Sequence, residues 1–289
     1  MKFGIYYAYW EKEWYGDYKY YIEKAARLGF DVLEIAAHRI ISYNDRQLAE
    51  IKACAAHYGI ILTAGIGTTA DKNLSSPDVA VREKGKAFFT EVLKSLSKLD
   101  IHIIGGALYS YWPIDYTKPV DKKGDWERGV AGIREVSFVA EEYGINLCLE
   151  VLNRFENHIL NTAEEGVAFV RQVDRRNVKV MLDTFHMNIE EDSIGGAIRT
   201  AGPLLGHFHT GECNRKVPGK GRIPWLEIGE ALREINYTEC VVMEPFVRMG
   251  GTIGSEIKVW RDLSENADEA KLDKDAQDAL NFSRYILQG

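Results

Sequence analysis

Short apolar runs alternate with amphipathic stretches along the chain. Eight runs of five to seven residues predict β-strands, and seven of them are followed by a stretch with the 3.6-residue spacing of a helix. Because these runs are apolar at nearly every position, they suit parallel strands that are covered on both faces. The predicted strands are residues 3–9, 32–36, 60–64, 101–105, 145–150, 178–183, 204–209 and 239–244.

The alternation of strand and helix predicts an α/β fold, and eight units fit one (β/α)₈ barrel over residues 1–289. The stretch 272–287 predicts an additional C-terminal helix outside the barrel. No linker rich in Pro, Gly or Ser divides the chain, so we expect a single domain. A doubly wound open sheet is the competing architecture. It would place a glycine-rich loop after the first strand, where this chain reads AYWEKEW.

Charge and composition exclude several classes of protein. The chain has 36 Lys and Arg against 43 Asp and Glu, a net charge of −7, which argues against a nucleic-acid-binding surface. No apolar run approaches the length that crosses a bilayer, and the N-terminal residues do not resemble a signal peptide. The four cysteines have no CxxC spacing. We therefore expect a cytoplasmic protein with reduced thiols and no membrane or nucleic-acid partner.

Four predicted strands in the second half of the chain end on side chains that can bind a metal. These residues are Glu150, Asp183, His209 and Glu244, and they are 26 to 35 residues apart, about one βα unit each. The carboxyl ends of barrel strands meet at one rim, where barrel enzymes keep their active sites. Any one of these residues could equally be a cap or a core side chain, but four at equivalent places predict a metal site.

The type of ligand also indicates the type of cation. Oxygen and nitrogen donors without a thiolate suit Mn²⁺, Mg²⁺ or Co²⁺. Without a cation, buried carboxylates would repel one another and take up protons. The sequence therefore predicts a metal-dependent enzyme.

Polar and aromatic residues near the predicted rim suit a small polyhydroxylated substrate. Glu156, His186 and Arg215 follow the predicted ligands in the chain and offer directional hydrogen bonds to substrate oxygens. Aromatic faces pack against the C–H faces of sugars and exclude water. Aromatic candidates at the loop ends are Tyr6, Trp14, Trp112 and Phe246. The loop VPGKGR at 217–222 resembles an anion-binding turn, but we expect its Lys220 and Arg222 to be structural.

Several long segments carry a resemblance to a known family. The chain resembles the ketose 3-epimerases, the D-tagatose 3-epimerase-like enzymes, and among them it is most similar to the D-psicose (D-allulose) 3-epimerases. The segments are GGALYSYWPIDY, LEVLNRFENH, MLDTFHMNIEE, GHFHTGECNRKVPGKGR and MEPFVRMGGTIGS, which begin at residues 105, 149, 181, 206 and 243.

The resemblance implies a fold, a cofactor and roles for the site residues. It implies a xylose-isomerase-like (β/α)₈ barrel that assembles as a dimer or tetramer and holds one Mn²⁺ or Co²⁺ per subunit. The implied metal ligands are the four residues already found at the strand ends. The implied substrate-binding residues are Tyr6, Trp112, Glu156, His186, Arg215 and Phe246.

The reaction that we expect interconverts D-fructose and D-psicose. Removal of the C3 proton next to the ketone gives a cis-enediolate, and return of a proton to the other face inverts C3. We expect Glu150 and Glu244 to be the acid/base pair.

Three other functions remain open from the sequence. An aldose–ketose isomerase on the same barrel is the nearest alternative, although a hydride shift favours a second metal ion. A barrel nuclease would need more histidines and a basic face, and a sugar-binding barrel would not need both glutamates.

Overall fold

Eight parallel strands close into a barrel in chain order. The structure is a computed structural model that describes residues 1–289. Each strand pairs with the next one along the chain, and β8 pairs again with β1. The strands are β1 Lys2–Tyr6, β2 Val32–Ala36, β3 Ile61–Ile66, β4 Ile103–Gly106, β5 Asn146–Glu150, β6 Val178–Asp183, β7 Leu205–Thr210 and β8 Cys240–Met243.

Eleven α-helices surround or cap the barrel. They are α1 Tyr18–Leu28, α2 Ala37–Ile40, α3 Asp45–Tyr58, α4 Val79–Lys98, α5 Lys122–Glu142, α6 Ala163–Val173, α7 Thr184–Glu190, α8 Ile194–Ala201, α9 Trp225–Glu234, α10 Gly251–Glu256 and α11 Glu269–Gln288. The three 3₁₀ turns are Tyr7–Trp10, Ala70–Lys72 and Gly202–Leu204. None of the helices combines the length and the apolar composition that crossing a bilayer requires.

The predicted barrel and its additional C-terminal helix are confirmed, with small shifts at the element ends. β2 and β6 have the predicted bounds, whereas β1 ends at Tyr6 and not at residue 9. The reason is that Tyr7–Trp10 turns into a 3₁₀ helix in which all four side chains are buried. Tyr6 consequently lies at the carboxyl end of its strand, at the rim of the barrel.

Apolar side chains fill both sides of the barrel wall. Successive residues of a strand point to opposite faces, so every second residue points into the barrel. A cluster of 79 buried residues includes the apolar packing between strands and helices. A second, smaller cluster consists of Val32, Ile103, Cys148, Met181, Cys240 and Val242. The remaining inward positions near the carboxyl ends carry polar side chains, which form the candidate site.

The C-terminal helix α11 is tied to the N-terminal part of the chain. Trp10 donates its indole N–H to Asp273 Oδ1 at 2.9 Å, and Tyr9 donates its hydroxyl to the Leu272 carbonyl at 3.0 Å. The ammonium of Lys24, only 2% exposed, lies 3.1 Å from Asp273 and also contacts Glu269. The helix therefore braces the turn that follows Tyr6.

Candidate metal centre

The four predicted metal ligands lie at the carboxyl ends of adjacent strands. Glu150 ends β5, Asp183 ends β6, His209 is the second-last residue of β7, and Glu244 directly follows β8. The ligand atoms of Asp183, His209 and Glu244 lie within 4.8 Å of one another. Those of Glu150, Asp183 and His186 form a second group within the same distance. Asp183 belongs to both groups and thus lies at the centre of the site.

Two buried atoms at this centre have no hydrogen-bond partner in the protein. They are Asp183 Oδ2 and His209 Nδ1, which are 3.9 Å apart. Asp183 Oδ1 accepts the Phe185 backbone N–H at 2.6 Å and so caps helix α7, which leaves Oδ2 free. Glu244 Oε1 is 3.8 Å from His209 Nδ1. Buried polar atoms are rarely left unpaired, and this donor set suits a divalent cation between them.

The raised pKa of Glu150 also favours a cation at this site. Burial raises the pKa of Glu150 well above its usual value, and the nearby charge of Glu244 raises it further, while His209 lowers it. A carboxyl in this position resists ionisation unless positive charge is supplied. A bound cation would supply that charge.

His186 is held in one tautomer by Asn153. The backbone N–H of Asn153 donates to His186 Nδ1 at 3.2 Å, and the Asn153 side-chain amide lies 2.7 Å from the same nitrogen. Because Nδ1 accepts, the ring proton is on Nε2, which lies 3.8 Å from Glu150 Oε1. Burial also lowers the pKa of His186. The ring thus presents its Nε2–H to the cavity.

Glu156 and Arg215 form a charged pair beside the predicted ligands. The guanidinium of Arg215 lies 3.4 Å from Glu156 Oε1 and 3.3 Å from Glu244 Oε2. Its planar group also stacks 3.7 Å from the ring centre of Phe185. Trp112 donates its indole N–H to Glu156 Oε2 at 2.9 Å. Burial alone would raise the pKa of Glu156, but His186, Arg215 and these hydrogen bonds lower it to about 2.

A cavity of about 540 Å³ opens at this rim and contains the groups described. Of the sequence-predicted site residues, all except Asp183 line it, and Asp183 is buried. Tyr6 and Phe246 contact each other edge to face, with ring centres 6.3 Å apart. A pocket lined by aromatic side chains together with carboxylates and N–H donors fits a small polyhydroxylated molecule.

Two polar residues that hold the site histidines were not predicted from the sequence. Asn153 orients His186, and Glu34 on β2 accepts a hydrogen bond from His209. Glu34 is a charged residue inside the apolar run VLEIA, and this anomaly was the available signal. Asn153 stands in a loop and carried no comparable signal.

The loop at 217–222 surrounds a carboxylate of the protein itself, that of Glu212. The buried carboxylate of Glu212 accepts the backbone N–H of Gly219 at 2.8 Å and of Ile223 at 3.2 Å, together with the indole N–H of Trp225. Lys220 pairs with Asp275 of α11 at 2.7 Å. The loop is therefore structural, as predicted.

Comparisons with known proteins identify the family of this chain. The model of the xylose isomerase-like TIM barrel family matches residues 22–271. The D-psicose 3-epimerase of Ruminiclostridium cellulolyticum is 70% identical over 288 residues, which cover 100% of this chain and 98% of the relative.

Two solved structures are equally similar. A D-psicose 3-epimerase from Clostridium cellulolyticum H10 with D-tagatose has a TM-score of 0.99 and 71% identity, and 99% of each chain is covered. A D-psicose 3-epimerase in the presence of D-fructose has a TM-score of 0.99 and 68% identity over 100% of both chains. The chain therefore belongs to the xylose isomerase-like TIM barrels and, among them, to the D-psicose 3-epimerase family of isomerases.

Proposed function

We propose that this protein interconverts D-fructose and D-psicose by inverting C3 through a cis-enediolate. Glu150 and Glu244 are the acid/base pair in this proposal, and together with Asp183 and His209 they hold one divalent cation. The names of the similar enzymes support the substrate, since they are D-psicose 3-epimerases and one was crystallised in the presence of D-fructose.

The observation that carries the proposal is the position of the two glutamates. Both line the cavity, and the strands that carry them are separated by β6 and β7 along the rim. Inversion of a carbon requires proton transfer at two opposite faces. Two carboxylates that approach one bound sugar from different sides of the rim meet this requirement.

The residues present fit a hard or borderline cation, and we propose Mn²⁺ or Co²⁺, with Mg²⁺ as the third candidate. When bound, such an ion supplies Lewis-acid stabilisation of negative charge that develops on substrate oxygens. The fit rests on the unpaired Asp183 Oδ2 and His209 Nδ1.

The remaining residues orient the sugar. Arg215 and the Nε2–H of His186 offer donors to hydroxyl and carbonyl oxygens, and Glu156 accepts from substrate hydroxyls. Trp112, Tyr6 and Phe246 pack against the carbon chain and exclude water from the reacting carbon.

The acid/base assignment is tested with Glu150→Gln and Glu244→Gln. Each variant keeps a donor oxygen for the cation but can no longer accept or return a proton, so kcat falls by about 10²–10⁴. Turnover is measured on D-fructose and on D-psicose, with bound Mn²⁺ quantified in each sample. Glu164→Gln, an exposed residue of α6, is the matched control and keeps wild-type turnover.

One outcome would contradict the acid/base assignment. If both variants hold Mn²⁺ and retain substantial turnover, the two glutamates are not the acid/base pair.

The proposal also includes a homo-oligomer, a dimer or tetramer, located in the cytoplasm. Large apolar side chains such as Phe155 and Trp260, 72% and 70% exposed, supply surface for subunit contacts. Light scattering on the purified protein measures the assembly.

A further inference from the structure

Glu34 is a fully buried carboxylate that connects two histidines below the candidate metal centre. It lies on β2, inside the barrel, and is 0% exposed. His209 Nε2 lies 2.7 Å from Glu34 Oε1, and His207 Nε2 lies 2.7 Å from Glu34 Oε2. Both histidines belong to β7, so the carboxylate reaches across the barrel interior to bind them.

Glu34 leaves only one arrangement for the proton of a neutral His209. An ionised carboxylate can accept hydrogen bonds but cannot donate them, so Nε2 of His209 carries the proton. The lone pair of the neutral ring is then on Nδ1. That nitrogen is the buried, unpartnered one that faces Asp183 and Glu244.

We propose that Glu34 is a positioning residue that fixes His209 with its Nδ1 lone pair directed at the metal site. This inference rests on the metal-dependent function proposed above. Histidines that bind metals commonly donate their other N–H to a carboxylate, which fixes the tautomer and makes the ring a stronger ligand. Glu34 acts through His209 and does not line the substrate cavity.

Residues of β3 and β7 position the carboxylate of Glu34. Thr63 on β3 donates its hydroxyl to Glu34 Oε2 at 2.8 Å, so the second oxygen is held by Thr63 and His207 together. Gly65 on the same strand leaves room for the first oxygen, because a Cβ there would stand 3.1 Å from Oε1. The carboxylate is thereby held through its second oxygen, and its first oxygen remains available to His209.

The same three residues could also be considered as a second metal site, since Glu34, His207 and His209 bring their ligand atoms together. Two N–H···O hydrogen bonds account for these contacts without an ion. The hypothesis therefore predicts one cation per chain.

Glu34→Gln tests the proposal, since it keeps the shape but removes the charge. An amide has a single acceptor oxygen, so it must present its N–H₂ to one of the two histidines. We expect Mn²⁺ affinity, measured by isothermal titration calorimetry, to fall by about 10- to 100-fold. Excess Mn²⁺ then restores most of the turnover, because no proton-transferring group has been removed.

Thr63→Val is the matched control. It removes a donor from the other oxygen of the same carboxylate and leaves the hydrogen bond to His209 in place. We expect its Mn²⁺ affinity to stay within about threefold of wild type. An equal loss in both variants would show that the effect does not pass through His209.

A measurement on the wild type keeps the proposal testable even if Glu34→Gln does not fold. In protein loaded with diamagnetic Mg²⁺, ¹⁵N NMR of the imidazoles is expected to show His209 with its proton on Nε2. A proton on Nδ1, two cations per chain, or wild-type Mn²⁺ affinity in Glu34→Gln would each overturn the proposal. Because none of these readouts uses the reaction, a failure here is distinct from a failure of the proposed epimerisation.

Discussion

Glu156 shows how one side chain near the cavity is kept ionised. Its carboxylate is about one-fifth exposed and lies beside Arg215 and His186. These neighbours and the hydrogen bonds from Trp112 and Asn153 outweigh the effect of burial, so its pKa is about 2 compared with an ordinary 4.5. Folding therefore stabilises the ionised form of the Glu156 carboxyl relative to its protonated form.

This pKa predicts a pH-dependent stability for Glu156→Gln. A carboxyl with a lowered folded-state pKa stabilises the fold above its unfolded pKa, and this contribution disappears as the pH falls from 4.5 towards 2. We expect the variant to be about 2 to 3 kcal/mol less stable than wild type at pH 7. The difference should narrow below pH 4.5.

Urea unfolding of both proteins at pH 7 and pH 3.5 measures this effect. Glu164→Gln, whose side chain is exposed, serves as the control and shows no such difference. A stability difference of equal size at both pH values would contradict the proposed cause.

The sequence predicted those site residues whose position follows from the end of a strand. Asp183 and His209 belong to this class, because parallel strands bring their carboxyl ends to one rim whatever the loops do. Glu34 could not be paired with His207 and His209 in this way, since 173 and 175 residues separate them. Which strands face each other across the interior depends on closure of the barrel, and local patterns do not contain this information.

The loop from β5 to α6 is fixed to a neighbouring element. The guanidinium of Arg154 binds the carboxylate of Glu190 at the end of α7 through two nitrogens, at 3.0 and 2.8 Å, and its backbone N–H donates to the same group. Glu156 stands two residues later in this loop. The position of the Glu156 carboxylate therefore depends on α7, a helix that is capped at its start by the proposed ligand Asp183.

Helix α11 contributes to stability through one buried ion pair. Asp273 accepts from Trp10 and pairs with Lys24 and Arg27. Asp273→Ala would leave the buried Lys24 with Glu269 alone, at a cost of about 3 kcal/mol. Thermal or urea unfolding at pH 7 measures this loss.

Asp278→Ala on the same helix is the control for that variant. Asp278 is 54% exposed and pairs only with Lys274 one turn away, so its loss costs less than about 0.5 kcal/mol. Equal effects of the two substitutions would show that α11 does not act through the Asp273 cluster.

The end of β1, which the sequence analysis misplaced, is explained by the tertiary structure. Residues 7–9 are apolar and were predicted to continue β1, but the chain turns there because Tyr7, Tyr9 and Trp10 pack under α1 and α11. Propensity and periodicity describe the strand itself, whereas this turn is determined by tertiary contacts.

We propose that the whole chain, residues 1–289, is one folding unit. The first and last strands pair to close the barrel, and α11 returns to α1 at the N-terminal side. Neither end of the chain can unfold alone without breaking these contacts. We therefore expect a single cooperative unfolding transition, in which the curves from far-UV circular dichroism and tryptophan fluorescence coincide. Two separate transitions would contradict a single domain.

The molecule as a whole combines a rigid parallel barrel with one cavity at its carboxyl-end rim. The barrel places both glutamates in the lining of that cavity, together with the other predicted substrate-binding residues. The central claim is that these glutamates exchange the proton at C3 of a ketohexose.

Incubation with D-fructose and Mn²⁺ in deuterated water tests this claim most directly. We predict that D-psicose forms and that NMR locates deuterium at C3 of the sugar. Deuterium at C1 would instead indicate an aldose–ketose isomerase, and no exchange at any carbon would indicate a protein that only binds the sugar. Either of these two results would contradict the proposed mechanism.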